Sequence, residues 1–462
     1  MKLRKKNKRN IFLNITGILF FGLVAFLVLG NIFHKDRSFS ETENRMLASA
    51  PEVTVDSLLS GQFETNYESY INDQFVFRDA WVHLKGLADT ISGKQDSNGV
   101  FRGKKGYLME NFVEPDPANL EKVQTAINSF SQKYPDLKQY FLLAPTAVNI
   151  LEDYLPAGAP AGDQNAWMDQ MYSFFAENGV TGIDVRERFK AQHEKGTKLY
   201  YQTDHHWTTR GAYEAFSEAA VAMGLVETAP AYNGMVVSNQ FRGTLSAKSG
   251  FRMNQEEEIE VQLPDEDQPG SIVTYVSEQE KSGSFYNAEN LEIRDAYTVF
   301  LDGNHPEVKV ETPLEGGRKL LLLKDSYANC FLPFLAPYYR EIIVIDPRYY
   351  YDDLSMLVDA EGITDVLYLY NANTFFQDTS LAPVLEAAAS SGTDESADGA
   401  QNSTSQTGGG AQDNTTSTDQ GGAQNTTSSG DQGDGGAQDN ADSQDQGEDA
   451  GQDSPDQAGD DT

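Results

Sequence analysis

The spacing of hydrophobic and polar positions divides the chain into segments of different character. Residues 11–33 form an apolar run without a charged residue, and about 20 apolar residues in a helix span a bilayer core. Residues 34–115 combine helical spacing, clearest at 58–91, with glycine-rich turns, and 99–109 is typical of a short hairpin. We interpret 34–115 as a lead-in segment that packs on the main domain.

Over residues 116–390, helical patterns alternate with short continuous apolar runs. Such runs, separated by helices, are typical of parallel strands covered on both faces. This pattern predicts an α/β domain in three layers. Residues 226–317 interrupt it with alternating runs and many acids, and we expect a β-rich insertion that helps to shape a substrate cleft. The predicted helices are 117–134, 164–178 and 208–225, and the predicted strands are 139–145, 182–185, 319–323, 341–346 and 365–370.

The charge at the N-terminus predicts an orientation for the apolar run. Residues 1–10 carry six Lys or Arg and no acid, which favours a cytoplasmic N-terminus. The run exceeds the roughly 7–15 residues of a signal-peptide core, and the first Ala-x-Ala sequence downstream of it is at 48–50. We therefore expect an uncleaved signal anchor over 11–33, single-pass in the cell membrane, with the remaining chain extracellular. A cleaved signal would leave the compartment unchanged.

The C-terminal 72 residues have a different composition. Residues 391–462 contain sixteen acids, no Lys or Arg, and no Phe, Leu, Ile or Val. Such a segment buries too little apolar surface to offset its ordering entropy, so it is predicted to be disordered. Removing its charges changes the formal net charge from −35 to −19. The folded part is still acidic, which argues against nucleic acid as a partner.

Few residues of the chain offer strong metal-binding or nucleophilic chemistry. The single cysteine, Cys330, excludes an intramolecular disulfide and a multi-cysteine metal site. Two of the six histidines are adjacent in TDHHW, 203–207. A carboxylate beside an imidazole orients the ring and stabilises its protonated form. Such a base needs a nucleophile, and Ser326 in KDSY, 324–327, stands where a strand turns into a helix, whose N-terminus favours developing negative charge.

Each motif also has a structural interpretation. Asp204 could cap a helix by accepting from free backbone amides, and Asp325 and Ser326 could do the same for the next helix. A metal site formed by Asp204, His205 and His206 is a third interpretation, beside the catalytic site and the helix caps. Consecutive side chains diverge, however, and no further His, Cys or Glu cluster completes the shell. We therefore expect no metal, and the sequence indicates no cofactor.

The two motifs together resemble a known family. TDHHWTTRGAYEAF and KDSYANCFLPFLAPYYREIIVIDPRYY are similar to segments of the DHHW family of bacterial exported proteins, and the similarity extends from about residue 38 to about residue 378. That family is similar to alginate O-acetyltransferase domains of the SGNH hydrolase class. The resemblance implies an SGNH-like fold in permuted order, since the Asp-His segment precedes the strand that leads to the serine.

The resemblance also implies roles for individual residues. Asp204 and His206 fall on the paired Asp and His, and Ser326 on the nucleophile. Asn373 falls on the oxyanion-hole Asn, with the Ser326 amide as second donor. Asp302-Gly303-Asn304-His305 is a rival source of oxyanion donors. The remaining positions that could support the site or contact substrate are His205, Trp207, Arg348 and Asn304.

Three functions remain open from the sequence. The resemblance implies O-acetylation of a cell-envelope or secreted polysaccharide, with a membrane-bound O-acyltransferase as the partner that delivers the acyl group. The same triad could instead end in water, as an O-acetyl esterase of envelope glycans. Lys324 and Asn371 replace glycines of the SGNH pattern, which leaves open a non-catalytic glycan-binding or scaffold protein on this fold.

Overall fold

The computed structural model describes residues 2–40, 45–251, 255–263 and 270–391. The predicted disordered tail from residue 392 onward lies outside the described residues. The helices are α1 Lys2–Phe33, α2 Val55–Leu59, α3 Gln62–Gln74, α4 Arg78–Ile91, α5 Pro117–Lys133, α6 Ala147–Ile150, α7 Gln164–Glu177, α8 Arg186–Glu194, α9 Thr209–Ala222, α10 Thr244–Ser249, α11 Tyr327–Leu335, α12 Leu354–Glu361, α13 Ala372–Gln377 and α14 Leu381–Ser390.

The strands within the described residues are short. They are β1 Phe39–Ser40, β2 Arg45–Met46, β3 Asp96–Ser97, β4 Val100–Arg102, β5 Leu108–Glu110, β6 Lys138–Ala144, β7 Thr181–Ile183, β8 Gly234–Phe241, β9 Glu257–Gln262, β10 Ile272–Tyr275, β11 Glu280–Ser282, β12 Glu307–Glu311, β13 Lys319–Lys324, β14 Glu341–Ile345 and β15 Asp365–Asn371.

The centre of the fold is a sheet in the order β11-β10-β12-β14-β13-β15-β6-β7. The five strands from β14 to β7 are parallel, and β12, β10 and β11 extend them antiparallel. If β13 is counted as the first strand, the parallel part has the doubly wound order 2-1-3-4-5. The chain, however, enters through the last two of these strands, so the predicted permuted SGNH-like α/β fold is confirmed.

The central strands are apolar because both faces of the sheet are covered. Leu320–Leu323 and Val366–Tyr370 are fully buried. Helices α5 and α14 pack against each other, as do α9 and α11. Of the segment 226–317, strands β10, β11 and β12 join the main sheet, whereas β8 and β9 pair separately. The predicted β-rich insertion is thus partly an extension of the central sheet.

The carboxyl ends of β13 and β15 are adjacent at the point where the strand order reverses. After β13 the chain proceeds to β14 on one side, while β15 lies on the other side. Ligands bind at such a topological switch point in open α/β sheets. Asp325 is tied to this edge because its amide donates to the Leu369 carbonyl.

Candidate active site

Ser326 stands in the tight connection between β13 and α11. Strand β13 ends at Lys324 and helix α11 begins at Tyr327. The flanking residues Asp325 and Tyr327 are buried, whereas Ser326 is partly exposed. Burial of its neighbours therefore fixes the backbone, and the serine side chain remains accessible at the carboxyl edge of the sheet.

A chain of hydrogen bonds connects Ser326 to the Asp-His pair. The Ser326 Oγ lies 2.7 Å from Nε2 of His206. The other ring nitrogen, Nδ1, lies 2.6 Å from Oδ1 of Asp204. Donation from Nδ1–H to the carboxylate leaves Nε2 as the acceptor for the serine hydroxyl. The two predicted halves of the site, 120 residues apart in sequence, thus lie in direct contact.

Asp204 is buried, and its charge is balanced by donors from two segments. Oδ2 accepts from the Thr244 amide at 2.8 Å and the Thr244 hydroxyl at 2.9 Å. Oδ1 also accepts from the His206 amide at 3.0 Å. Burial alone would raise the pKa of Asp204, but the neighbouring histidines and these donors outweigh burial and hold it well below its usual range. Asp204 is therefore a permanent anion beside His206.

His206 is held as a neutral imidazole. Its ring stacks on Tyr297 with centroids 3.6 Å apart and planes 8° from parallel. Burial lowers the pKa of His206, the charge of His205 lowers it further, and Asp204 only partly offsets both, so that the pKa is about 4. A neutral ring can accept the serine proton at any pH above this value.

His205 lies beside the pair without contacting the serine in this arrangement. Its Nδ1 is 3.3 Å from the Thr244 hydroxyl and 3.4 Å from Oδ1 of Asp204. One ligand atom from each of Asp204, His205 and His206 can be chosen so that all three lie within 4.8 Å of one another. These side chains therefore converge, contrary to the divergence expected from consecutive positions. Both nitrogens of His206 are engaged with Asp204 and Ser326.

The structure tests the interpretation that the two motifs cap helices, and the outcome differs between them. Helix α9 is capped by Thr208, whose side chain accepts from the Gly211 amide at 3.1 Å. Asp204 therefore does not cap α9, although its Oδ2 accepts from the amide of Thr244, the first residue of α10. Asp325 does bond a first-turn amide, since Oδ1 accepts from Tyr327 at 2.9 Å. The hydroxyl of Ser326 makes no side-chain cap bond within the described part of α11.

Two buried contacts fix the TDHHW segment. The Trp207 indole Nε1 donates to the Tyr327 carbonyl at 3.0 Å, which joins this segment directly to the start of α11. The carboxylate of Glu257 on β9 accepts from the amides of Gln202 and Thr203, each at 2.7 Å. These bonds orient the backbone immediately before and after Asp204 and His206.

Lys324 and Arg348 share one buried carboxylate. Oδ2 of Asp346 lies 3.2 Å from the Lys324 ammonium and 2.6 Å from the Arg348 guanidinium, which also bonds Oδ1 at 2.8 Å. Burial would raise the pKa of Asp346, but these two cations lower it. The ammonium also donates to Oδ1 of Asn304 at 2.8 Å. Lys324, in place of the SGNH glycine, thus ties three segments together below Ser326.

The asparagines at positions 371, the last of β15, and 373, just after it, have different surroundings. The Asn371 amide nitrogen donates to Asp325 Oδ2 at 2.6 Å and to the Thr374 hydroxyl at 2.7 Å, which uses both of its hydrogens. The Asn373 amide nitrogen donates to the Asn111 carbonyl at 3.2 Å, and the Asn373 side chain also hydrogen-bonds the Glu110 carboxylate. Asn373 lines a small cavity together with Asp204, His205 and Asn371.

Three residues near the hydrogen-bonded relay of Asp204, His206 and Ser326 were not predicted from the sequence. Thr244, Asp295 and Tyr297 all lie in the segment 226–317, where neither motif nor spacing marks them. Asp295 has a buried Oδ2 without a partner among the described residues. Burial and the charge of Asp204 raise the pKa of Asp295 to about 7. The only indication of these residues in the sequence is the expectation that the insertion shapes a cleft.

A doubly wound sheet with a serine after its first strand defines the class of this domain as SGNH hydrolase-like. Residues 101–288 match the family model described as the SGNH hydrolase-like domain of the acetyltransferase AlgX. The chain therefore contains an SGNH hydrolase-like domain of the acetyltransferase type, and the resemblance seen in the two motifs is confirmed. The matched range includes Asp204 and His206, whereas Ser326 lies beyond it.

Solved structures with the same fold include a DHHW family protein from Eubacterium siraeum, at 23% identity and a TM-score of 0.53, covering 63% of this chain and 95% of that chain. Bacillus cereus PatB1 with a sulfonyl adduct is 21% identical at a TM-score of 0.50, covering 61% of this chain and 96% of that chain. Among curated proteins, no sequence matches the chain.

Gly243 permits the close approach of α10 to Asp204. A Cβ atom at this position would lie 2.2 Å from the Asp204 Cβ and 2.5 Å from its Cα. Gly243→Ala is expected to lower stability by about 1–3 kcal/mol through overpacking, measured as a lower unfolding midpoint. Gly283→Ala is the control, because its Cβ would meet nothing within 4 Å. Equal midpoints for the two variants would contradict this explanation.

The raised pKa of Asp295 predicts a pH-dependent stability. The folded chain holds this proton up to about pH 7, whereas an unfolded Asp releases it near pH 4. The free energy of unfolding therefore decreases as pH rises from about 4 to 7, because the unfolded chain loses this proton first. Asp295→Asn should be more stable than wild type at pH 8, by up to about 4 kcal/mol, with little difference at pH 4.

Unfolding midpoints of wild type and Asp295→Asn at the two pH values measure this effect. Asp136→Asn, at an exposed position, is the matched control and should show no such divergence. A gain in the Asp295→Asn variant that is the same at pH 4 and pH 8 would show that the proton of Asp295 is not its source.

Proposed function

We propose that this protein is a membrane-anchored extracytoplasmic serine acyltransferase that O-acetylates a cell-envelope or secreted polysaccharide. The observation that supports the proposal most directly is the continuous relay from Asp204 through His206 to Ser326, with contacts of 2.6 Å and 2.7 Å. The acetyltransferase named in the matching family model supports the choice of acyl group.

In the proposed reaction, the Ser326 oxygen attacks the carbonyl carbon of the acyl donor while its proton moves to Nε2 of His206. The tetrahedral intermediate collapses, and His206 returns the proton to the leaving group of the donor. This leaves an acetyl ester on Ser326. A polysaccharide hydroxyl then gives its proton to His206 and attacks the ester, which transfers the acetyl group and regenerates the serine. Asp204 stabilises the imidazolium formed in both half-reactions.

The oxyanion donors in this proposal are the Ser326 amide at the start of α11 and the amide of Asn373. The position of Asn373 in a small cavity beside Asp204 and His205 supports this role. Asn304 is the rival donor. Its Oδ1 accepts from Lys324, and because an ammonium only donates, the Nδ2 group of Asn304 must point away from that cation.

Backbone strain supports Asn304 as the rival. Leu301, Asp302 and Gly303, immediately before it, all have positive φ, at 60°, 55° and 94°. Such a conformation costs about 1–3 kcal/mol for a residue other than glycine and persists where its surroundings fix it, often at functional sites. Here Asn287 and Asn290 both donate to Oδ1 of Asp302, at 2.9 Å and 2.6 Å.

The membrane part of the proposal rests on helix α1. Among the described residues, Phe12–Phe33 is long and apolar enough to cross a membrane, a test that a signal sequence near the N-terminus also passes. Because acetyl-CoA is a cytoplasmic donor, acetylation outside the cell needs an acyl group delivered through the bilayer. An uncleaved anchor would keep Ser326 beside a membrane-bound O-acyltransferase that delivers this group.

The same relay supports a second candidate, an O-acetyl esterase of envelope glycans, in which water replaces the sugar hydroxyl. The third, a non-catalytic glycan-binding protein, predicts that the relay has no chemical role. Arg348 and the exposed Tyr349 and Tyr351 at the carboxyl end of β14 are the surface that we propose for glycan contact in all three cases.

Loss of the nucleophile or the base should abolish acyl chemistry. Ser326→Ala and His206→Ala in the full-length chain are each expected to lower the rate of acetyl release from 4-nitrophenyl acetate by at least about 10³-fold. Ser282→Ala and His193→Ala are matched controls away from the relay and should retain wild-type rates. Wild-type rates in both relay variants would overturn the enzyme proposal and favour a binding protein.

The fate of the acetyl group separates transfer from hydrolysis. The wild-type chain is incubated with 4-nitrophenyl acetate and soluble oligosaccharides of glucose, N-acetylglucosamine or mannuronate. Oligosaccharides that gain the mass of an acetyl group support the transferase. Acetate release that is unchanged by any oligosaccharide, together with deacetylation of acetylated xylan, favours the esterase.

The His206 pKa of about 4 predicts the pH dependence of the nucleophile. Modification of Ser326 by phenylmethylsulfonyl fluoride should be nearly constant at neutral pH and fall about tenfold per pH unit below 4, because the protonated ring cannot accept the serine proton. Peptide mass spectrometry measures the modified fraction. A fall that begins near pH 6.5, the ordinary histidine value, would contradict the effect of burial.

The oxyanion assignment predicts unequal effects of two substitutions. Asn373→Ala is expected to reduce the rate of 4-nitrophenyl acetate turnover by about 10²–10³-fold, with little change in KM, because the lost bond forms in the transition state. Asn304→Ala should reduce the rate less than tenfold. The reverse ranking would assign the oxyanion donor to Asn304.

A further inference from the structure

Helix α4 exposes its apolar face and buries its small and polar one. Five large apolar side chains, recurring every three or four residues and hence on one helix face, are between 41% and 78% exposed. They are Phe77, which immediately precedes the helix, Trp81, Leu84, Leu87 and Ile91. The opposite face carries Gly86 and Asp89, which are buried. This is the reverse of the pattern of a helix that covers a protein core.

We infer that this apolar face of α4 lies in the membrane–water interface on the outer side of the cell membrane, with lipid acyl chains as its partner. The inference rests on the membrane anchoring by α1 in the proposed function. Helices of this kind lie in the plane of the membrane with their apolar face about 5–10 Å deep in the headgroup and acyl boundary.

Contacts between α1 and the residues just before α4 define how deep α4 lies in the membrane. The Val76 amide donates to Oδ1 of Asn31 at 3.0 Å. Val76 also packs so closely on Gly30 that a Cβ there would lie 3.3 Å from its Cγ1. One and a half turns away, the Phe77 ring stacks with Phe26 at 6.2 Å. The two residues immediately before α4 are therefore level with the last two turns of α1.

This level agrees with the depth of an interfacial helix. Gly30 and Phe26 precede Phe33, the last residue of the apolar helix, by three and seven residues. At 1.5 Å per residue these positions lie about 5 Å and 10 Å below the end of the apolar run. Polar Asn31, which would be costly in lipid, is satisfied because it accepts from Val76 and donates to the Leu27 carbonyl at 2.8 Å.

The composition of the exposed face also fits the interface. Trp is enriched at this level of membranes, and the Trp81 indole nitrogen already donates to the Val76 carbonyl at 3.2 Å. The carboxylate of Asp89, on the buried side, is paired with Lys85 at 2.9 Å and Lys94 at 3.3 Å. Its charge is thus directed away from the apolar face.

The buried side of α4 leads to the candidate active site. A Cβ at Gly86 would lie 2.5 Å from the Gly250 carbonyl, so α4 packs in close contact with the end of α10. The same short helix begins at Thr244, whose amide and hydroxyl bind Asp204. Since α10 has six residues, or about 9 Å, and packed helices lie about 8–10 Å apart, the relay is roughly 20 Å from the proposed lipid contact.

Lipid contact of α4 can be measured in the full-length chain. A thiol-reactive NBD probe on Leu84→Cys is compared with probes on Phe20→Cys, inside α1, and Glu187→Cys, on the exposed side of α8. Native Cys330 is buried, and labelled wild type serves as the blank. The probes are read in vesicles of phosphatidylcholine and phosphatidylglycerol, with or without bromine on the acyl chains.

The expected result is quenching of the Leu84 and Phe20 probes by brominated lipid at least about twofold beyond the Glu187 probe, with emission shifted to the blue. Introducing Leu87→Glu beside the Leu84 probe should reduce its quenching, while the same substitution leaves the Phe20 probe unchanged.

Quenching of the Phe20 probe with a Leu84 probe that behaves like Glu187 would overturn the inference and leave the anchor intact. Absence of quenching at both positions would overturn the anchor as well. A blue-shifted but unquenched Leu84 probe, whose shift disappears on dilution into excess lipid, would assign the face to a second copy of the chain. Acetyl release from 4-nitrophenyl acetate, measured separately in detergent, distinguishes all of these from failure of the catalytic proposal.

Discussion

The buried negative charge of Asp204 is the constraint on which the arrangement of the site depends. A buried carboxylate without partners costs several kcal/mol, and Asp204 meets that cost with donors from its own segment and from one distant segment. His206 supplies its ring and amide, and Thr244 supplies its amide and hydroxyl. To reach the carboxylate, the chain before α10 must touch the backbone of residue 204, which requires glycine at position 243.

The same requirement recurs at the ends of the three central strands. Asp346, after β14, is paired with Lys324 at the end of β13. Asp325, after β13, accepts from the amide and the side chain of Asn371 at the end of β15. Such buried polar networks are weak evidence for stability, but each member has only one arrangement that satisfies it. The backbone that presents Ser326 is thereby fixed from both neighbouring strands.

The parts of this fold that could be predicted from the sequence are those with a local pattern. Strands β13, β14 and β15 are continuous apolar runs, and their observed bounds differ from the predicted ones by one residue at most. TDHHW and KDSY could be paired only through family resemblance, because no local pattern indicates that two motifs 120 residues apart meet. Their contact follows from strand order, a property of the whole sheet.

The remaining site residues could not be predicted because their roles are set by tertiary contacts. Thr244 and Tyr297 are ordinary residue types in a segment without a motif. They reach the relay only because the segment between β8 and β9 and the segment between β11 and β12 fold back onto TDHHW. Asn304 follows a turn with three positive φ values, of which sequence indicates only the glycine. Lys324 departs from the SGNH pattern, and its buried partners Asn304, Asn329 and Asp346 give that departure a structural reason.

Transfer and hydrolysis cannot be distinguished by the base in this site. With a pKa of about 4, His206 is neutral throughout the pH range in which either acceptor would react, so in the proposed reaction its protonation state does not select between a sugar hydroxyl and water. Selection must therefore come from which acceptor occupies the space beside the acetylated serine. His206 is shielded by Tyr297 and is almost fully buried, which leaves Ser326 approachable from the exposed carboxyl edge of the sheet. A glycan bound along the proposed surface of Arg348 and Tyr351 would occupy that edge and displace water, so in the proposed reaction acceptor binding, more than acid-base chemistry, would determine the outcome.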